Sequence, residues 1–213
     1  MSVLEQLRAP VVLAPLAGGP STPALAAALA SAGGFGFVAG GYLSSAELGE
    51  RIGRTRSLTE GETGVNLFVP GTGPAEAAGY EPFVETLTEW ARWRQLPLGE
   101  PRYSDDDWDA KIELLLRERL PVVSFTFGCP ESQIVDALHD VGSEVWVTVT
   151  GPVEAGEAAS SSSLPLVASG GVATGEVLAA TLCAGGRAAQ IGSAFMLCRE
   201  AGTSEFHHYD QVP

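Results

Sequence analysis

The sequence predicts an α/β protein of the TIM (β/α)8-barrel type, incomplete, with about seven recognisable strands. Three observations predict it. Short, continuously apolar runs alternate with helical patterns, as in parallel strands buried on both faces and joined by crossover helices. Two glycine-bearing strand ends, 167–175 and 190–195, lie about twenty residues apart with one helical stretch between them, which suits the phosphate-presenting loops after the last two strands of such a barrel. The chain also opens on a buried-strand pattern that ends in the small-residue turn Ala14-Pro15-Leu16-Ala17-Gly18-Gly19. A barrel puts all three ends on one rim.

Taken in order, strands are expected at Val11–Ala14, Phe35–Ala39, Gly64–Val69, Pro121–Phe127, Val145–Thr150, Leu164–Ser169 and Ala188–Gly192. Helices are expected at Thr22–Ser31, with Ser21 or Thr22 as cap, then at Ser45–Ile52, Ser132–Asp140, Val153–Ala159 and Thr174–Ala184. Between Pro70 and Leu120 no strand pattern occurs, and a mostly helical insertion over about 70–120 carries Trp90, Trp93 and Trp108 as the roof of an apolar pocket. The run Asp105-Asp106-Asp107 precedes a helix, where carboxylates serve as cap and dipole partners, so no metal site is assigned. The run Ser160-Ser161-Ser162-Ser163 has the composition of a flexible joint. It falls where only 13 residues separate Thr150 from Leu164. A crossover needs at least about 10–12 residues, so no further strand fits and one βα unit is missing. The whole of 1–213 is read as a single domain.

Composition narrows the function. Against 26 acidic residues stand 12 basic ones, with Lys111 the single lysine, and the formal net charge is −14. A phosphate backbone is repelled over most of such a surface, which argues against nucleic acid as a partner. The three cysteines, Cys129, Cys183 and Cys198, fit neither a disulfide framework nor a zinc site and suit a reducing cytoplasm, with Cys129 as a small buried or half-buried filler. No basic-then-apolar leader precedes Val11, and the longest apolar stretch, Pro23–Gly41, is broken by Gly33-Gly34 and Gly36, so neither secretion nor a membrane span is expected.

Five segments carry a family resemblance: Ala14-Pro15-Leu16-Ala17-Gly18-Gly19, Gly64-Val65-Asn66-Leu67-Phe68, Val122-Val123-Ser124-Phe125-Thr126-Phe127-Gly128, Ser169 to Gly175 and Gln190 to Phe195. In this order the chain resembles the nitronate monooxygenases, formerly 2-nitropropane dioxygenases, which are flavin-dependent (β/α)8-barrel enzymes. The resemblance implies a bound FMN, with a small-molecule nitronate and O2 as reaction partners. It carries Ala14, Pro15 and Leu16 over to the turn beside the flavin ring, although the family more often has methionine where Leu16 stands. Asn66 becomes the asparagine that hydrogen-bonds the cofactor, and Thr148 a further polar contact on the flavin side. Gly170, Gly171, Gly192 and Ser193 become the backbone of the phosphate cup, and Ser124 and Thr126 the pocket lining.

Each position also has a purely structural reading. Asn66 on a buried strand can simply satisfy backbone groups, and Gly170-Gly171 can be an ordinary strand-to-helix turn with Thr174 as cap.

The chain also departs from the family. The glycine-rich loop of the form Gly-Gly-His-Arg-Gly, whose histidine is taken to remove the proton α to the nitro group, has no counterpart between Thr150 and Leu164. His139 falls at a helix end, and His207 and His208 lie in a polar tail. No catalytic residue is therefore assigned. Two alternatives are carried: an FMN-dependent enoyl-thioester reductase sharing the barrel and phosphate cup, and an inactive barrel remnant serving as a binding or association module. A barrel lacking one unit closes with seven strands, stays open as an arc or completes itself as a homo-oligomer, and an open arc exposes strand edges.

Overall fold

The computed structural model describes residues 2–73, 77–151 and 164–204, except for the side chains of 77 and 78. Among these residues seven strands form, one at each expected place: β1 Val11–Leu13, β2 Gly36–Ala39, β3 Thr63–Phe68, β4 Val122–Thr126, β5 Glu144–Val147, β6 Val167–Ser169 and β7 Ala188–Ile191. Every pairing is parallel. One sheet runs β2-β3-β4-β5 and the other β1-β7-β6. A parallel bridge between Val12 and Phe35 joins them, with Leu13 N donating to Phe35 O (2.9 Å) and Phe35 N to Val11 O (3.0 Å). The continuous order is therefore β6-β7-β1-β2-β3-β4-β5, an arc of barrel whose free edges are β5 and β6. Of the three outcomes open to a barrel short of one unit, the described residues adopt the open arc.

The two edge strands are also the two that fall well short of expectation. The stretch Val145–Thr150 yields strand only through Val147, and Leu164–Ser169 only from Val167. Each has a partner on one side alone, and a strand end without a second ladder is easily lost. The apolar residues of these stretches remain open to solvent: Val147, Val149, Leu164 and Leu166 are exposed.

Helices cover the outer face of the arc. Helix α2, Pro23–Ala32, starts with Thr22 accepting from Leu25 N and Pro23 at its first position, and ends at Gly33 with φ 99°. Helix α3, Ser45–Arg56, opens on a capping box in which Ser44 and Glu47 satisfy each other's backbone, and it runs four residues past the expected end. The bond from Ser44 N holds the Glu47 carboxyl below its ordinary range.

Helix α6, Ser132–Asp140, matches expectation, and α7, Gly175–Cys183, begins at Thr174. The helix expected at Val153–Ala159, the serine joint, His207 and His208 all lie outside the described residues. A short first helix, α1 at Val3–Gln6, was not expected. Its four residues carry no readable period. Tertiary contacts hold it: Val3 N donates to Glu144 Oε1 (2.7 Å), and Trp146 Nε1 donates to Glu144 Oε2 (3.0 Å).

Two apolar clusters define inside and outside. Val65, Leu67, Val123 and Phe125 pack with Leu48, Ile52, Leu115 and Leu138 of the helices, so the odd-numbered residues of β3 and β4 face outward. Val3, Val12, Phe35, Phe37, Val122 and Ala188, joined by Trp146 and Val167, fill the lower part of the arc interior, with α1 as its floor. Phe35, Phe37 and Trp146 meet there at ring separations of 5.0–5.7 Å.

Within the insertion, α5 (Trp108–Glu118) takes the place of the crossover helix after β3, burying Ile112, Leu114 and Leu115, whereas α4 (Ala77–Arg94) is surplus. The three tryptophans do not form one roof. Trp108 packs outside the arc against Phe125 (5.8 Å), while Trp90 and Trp93 stay exposed under the Arg94 guanidinium. A helix that gains a hydrophobic face from period alone still needs a surface to dock on, and for α4 the described residues supply little.

The aspartate run also acts differently from expectation. Asp107 stands at the N-cap position of α5, yet its carboxylate accepts from Ser45 N of α3 (2.6 Å), which holds its pKa below the ordinary value. Asp106 accepts from Tyr42 N (2.8 Å) and pairs with buried Lys111 (2.8 Å). The run thus clasps the insertion to the loop after β2, and among the described residues no cluster with metal-ligand character occurs.

Candidate active site

Parallel strands in one arc send their C-terminal ends to a common rim, and most of the predicted site residues converge there. The first turn is pinned by Ser21, which is 1% exposed: Leu16 N donates to Ser21 Oγ (2.8 Å), and Ser21 Oγ donates to Ala14 O (3.2 Å). Thr22 is therefore the cap of α2, and Ser21 holds Ala14, Pro15 and Leu16 in shape. Ala14 N in turn donates to Ile191 O (2.8 Å), which brings the turn against Gly192. A Cβ at Gly192 would stand 3.3 Å from the Leu16 side chain and 3.4 Å from that of Ala14.

The second glycine turn lies beside it. Gly170 and Gly171 have φ of 94° and 67°, a consecutive left-handed pair that demands glycine, and the space where their side chains would sit is open. Among the described residues the backbone N–H groups of Gly170, Gly171, Gly192 and Ser193 donate to no protein acceptor. Four free donors on two adjacent loops suit an anionic group. The N-terminus of α7 is less available. The Glu176 carboxylate there is bound by Thr174 and by its own backbone N–H, which lowers its pKa.

On the interior face, Asn66, Ser124 and Thr126 form one cluster. Asn66 Nδ2 donates to Ser124 Oγ (2.9 Å) and to Thr126 Oγ1 (3.0 Å). The geometry follows from register, since Asn66 pairs with Ser124 and Phe68 with Thr126 across β3 and β4. Asn66 and Ser124 are buried at 2% and 7% exposure. Both hydroxyls accept from the amide, so each keeps its O–H as a donor. Thr148 lies one residue beyond β5, exposed and anchored only through its backbone to Phe125 O (2.9 Å). It shares the parity of Ser124 and Trp146 but is not gathered into the cluster.

Three aromatic residues at the mouth escaped the sequence reading. Phe68 lies between Tyr42 (5.4 Å) and Phe127 (4.9 Å). Their signal, an aromatic at each strand end, is ordinary for core residues and does not by itself point to a site.

His139 is excluded from the rim by topology. It lies in the last turn of α6, immediately before β5 begins, and hence at the opposite end of the arc. Two hollows lie away from the rim: one, lined by Arg8, Ser31, Thr59 and Gly61, at that opposite end, and another, beside Thr22, Arg51 and Arg54, on the outer flank.

Comparison with known proteins bears on family and fold. The family model described as nitronate monooxygenase matches residues 2–162 and 154–212, two stretches that meet between β5 and β6. A probable nitronate monooxygenase of Staphylococcus aureus is 25% identical over 242 aligned residues, covering 92% of this chain and 67% of the relative. That alignment is longer than the 213 residues of the chain, so the relative carries residues that this chain lacks.

Among solved structures, the nitroalkane oxidase of Streptomyces ansochromogenes is 34% identical, with a TM-score of 0.89 over 98% of this chain and 72% of that one. FabK of Thermotoga maritima has a TM-score of 0.72 over 97% of this chain and 65% of that one, at 22% identity, a likeness of fold alone.

Proposed function

Because the chain belongs to the nitronate monooxygenase family, a family of flavin-dependent oxidoreductases, we propose that it binds FMN on the C-terminal rim of its arc and oxidises alkyl nitronates with O2. The observation that carries this reading is the meeting of two donor-bearing glycine turns with the Ala14–Leu16 turn and the Asn66 cluster on one rim. FMN, when bound, supplies the electron chemistry with oxygen. The chain supplies the rest. The N–H groups of Gly170, Gly171, Gly192 and Ser193 hold the phosphate. Ala14, Pro15 and Leu16 give the ring an apolar edge made rigid by Ser21, and Asn66 and Thr148 are its polar contacts. The O–H groups of Ser124 and Thr126 are donors to an anionic substrate oxygen.

Proton removal is where the chain is weak. Among the described residues no histidine reaches the rim, so none of them offers a neutral nitroalkane a histidine base for its α-proton. Oxygen uptake by the FMN-loaded protein is expected with preformed nitronate anions and at least about a hundred-fold slower with the neutral acids, in line with loss of general-base catalysis. Equal rates with both forms would contradict this reading.

Use of a nicotinamide cofactor with an enoyl thioester is the rival chemistry. NADH consumption with an enoyl substrate and none of the nitronate reaction would favour it. The three free cysteines, of which Cys129 is exposed and not the buried filler expected, suit a cytoplasmic setting, which is part of the proposal, and among the described residues no helix is long and apolar enough to cross a membrane.

A further inference from the structure

The aromatic residues at the mouth stand apart from ordinary core. Tyr42 and Phe127 are 76% and 74% exposed, so neither was placed by burial. Both have positive φ, 66° and 73°, a conformation that costs a bulky side chain energy and persists only where surrounding structure holds it. For Tyr42 that structure is visible: its backbone N–H is gripped by Asp106, which is itself held by buried Lys111. Gly41 lets the loop after β2 lie over Phe68, since a Cβ there would come within 2.7 Å of the ring tip.

The three rings therefore bracket the outer end of the donor cluster. Phe68 is two residues on from Asn66 on the same face of β3 and pairs in register with Thr126. An occupant reaching both parts has an anionic head for the Ser124 and Thr126 hydroxyls and an apolar or aromatic tail for the rings.

We propose that Tyr42, Phe68 and Phe127 form the tail subsite of the substrate pocket, which selects nitronates bearing an aryl group or an alkyl chain of several carbons over those of one or two carbons. The inference rests on the nitronate reading and specifies its substrate class. The faces of Tyr42 and Phe127 left open in the structure are the surface a tail covers, and Phe68 is their common support. Nothing in the selection requires proton transfer, so it acts in binding whether or not turnover follows.

The test is binding to the FMN-loaded protein by calorimetry, under nitrogen, with the nitronate anions of nitroethane, 1-nitrohexane and phenylnitromethane. The hexyl and phenyl anions are expected to bind at least about tenfold tighter than the ethyl one, as burial of several methylenes on a half-open rim gives. Phe127→Ala and Tyr42→Ala are each expected to remove most of that preference, while Trp93→Ala on α4 leaves it intact. Far-ultraviolet circular dichroism and flavin content separate these effects from unfolding. Equal affinity for the three anions, a preference indifferent to both rim substitutions, or no binding of any of them would overturn the subsite. Oxygen uptake on admission of air then tests the chemistry separately: tail-selective binding without oxidation sinks the activity and keeps the subsite, and oxidation without selectivity does the reverse.

Discussion

Gly36→Ala is expected to lower the melting temperature by about 6–12 °C or to prevent folding altogether. A methyl group at this first residue of β2 would stand 2.7 Å from the carbonyl carbon of Ala26 and 2.9 Å from its Cα, with the carbonyl oxygen nearer still. These are backbone atoms of α2, so no rotamer change relieves the clash and the whole helix must move. It has little freedom to do so, because Leu25, Ala26, Ala27 and Ala30 are buried and the small alanine side chains are what allow helix and strand to approach so closely.

Overpacking typically costs about 1–3 kcal/mol and occasionally more, a clash with backbone that no rotamer relieves falls at the top of that range, and each kcal/mol is worth about 2–4 °C in a domain of this size. Gly53→Ala in α3 is the matched control. Nothing lies within 4 Å of its added methyl, and a helix-interior glycine replaced by alanine gains about 0.5–1 kcal/mol. Thermal melts of the two variants are expected to move in opposite directions. A Gly36→Ala melt within 2 °C of the parent would mean that α2 does not rest on β2 as described.

Supplying the absent βα unit is the second large effect. Grafting a strand and helix from the Staphylococcus aureus relative between Gly151 and Leu164 is expected to raise the melting temperature by about 10 °C and to suppress self-association. Among the described residues one ladder edge is unpaired on β5 and another on β6, and unpaired edges template association. Val147, Val149, Leu164 and Leu166 stand beside those edges at 38–58% exposure. Covering them recovers about 1 kcal/mol apiece by area, before any hydrogen bonds of the new strand are counted. Sedimentation velocity over a wide concentration range checks the second half. The parent is expected to associate as concentration rises and the graft to stay monomeric. A parent that remains monomeric throughout, with a graft no more stable, would show that the edges are already protected.

Much of this architecture was legible in the chain because its strands are apolar on both faces. A continuous run such as Gly36-Phe37-Val38-Ala39, buried at every residue, leaves no amphipathic alternative, and glycine turns mark where the runs end. The missing unit was legible by arithmetic, from the short connection between Thr150 and Leu164. What pattern could not reach depends on long-range contact. Glu144 anchoring α1 and Asp107 capping α3 each join residues more than sixty positions apart. In the site, Asn66, Ser124 and Thr126 were found through family motif and then joined by register. Tyr42 and Phe127 were missed because a positive φ on an aromatic residue leaves no trace in composition, and Thr148 remains apart because β5 ends before reaching it. The expected tryptophan roof failed because a helical period says where an apolar face lies on its helix, not what it meets.

The central claim is that an arc of seven strands still presents a working phosphate cup. Titration of the purified chain with FMN, followed by its visible absorption spectrum and intact mass, tests that claim most directly. Retention of close to one flavin per chain of the expected mass is the predicted result, because the four loop donors and the Ser21-pinned turn follow β1, β6 and β7, which form one sheet with β7 paired on both sides. No retained flavin in a folded chain of that mass would contradict the account and leave the inactive association module as the reading of this protein.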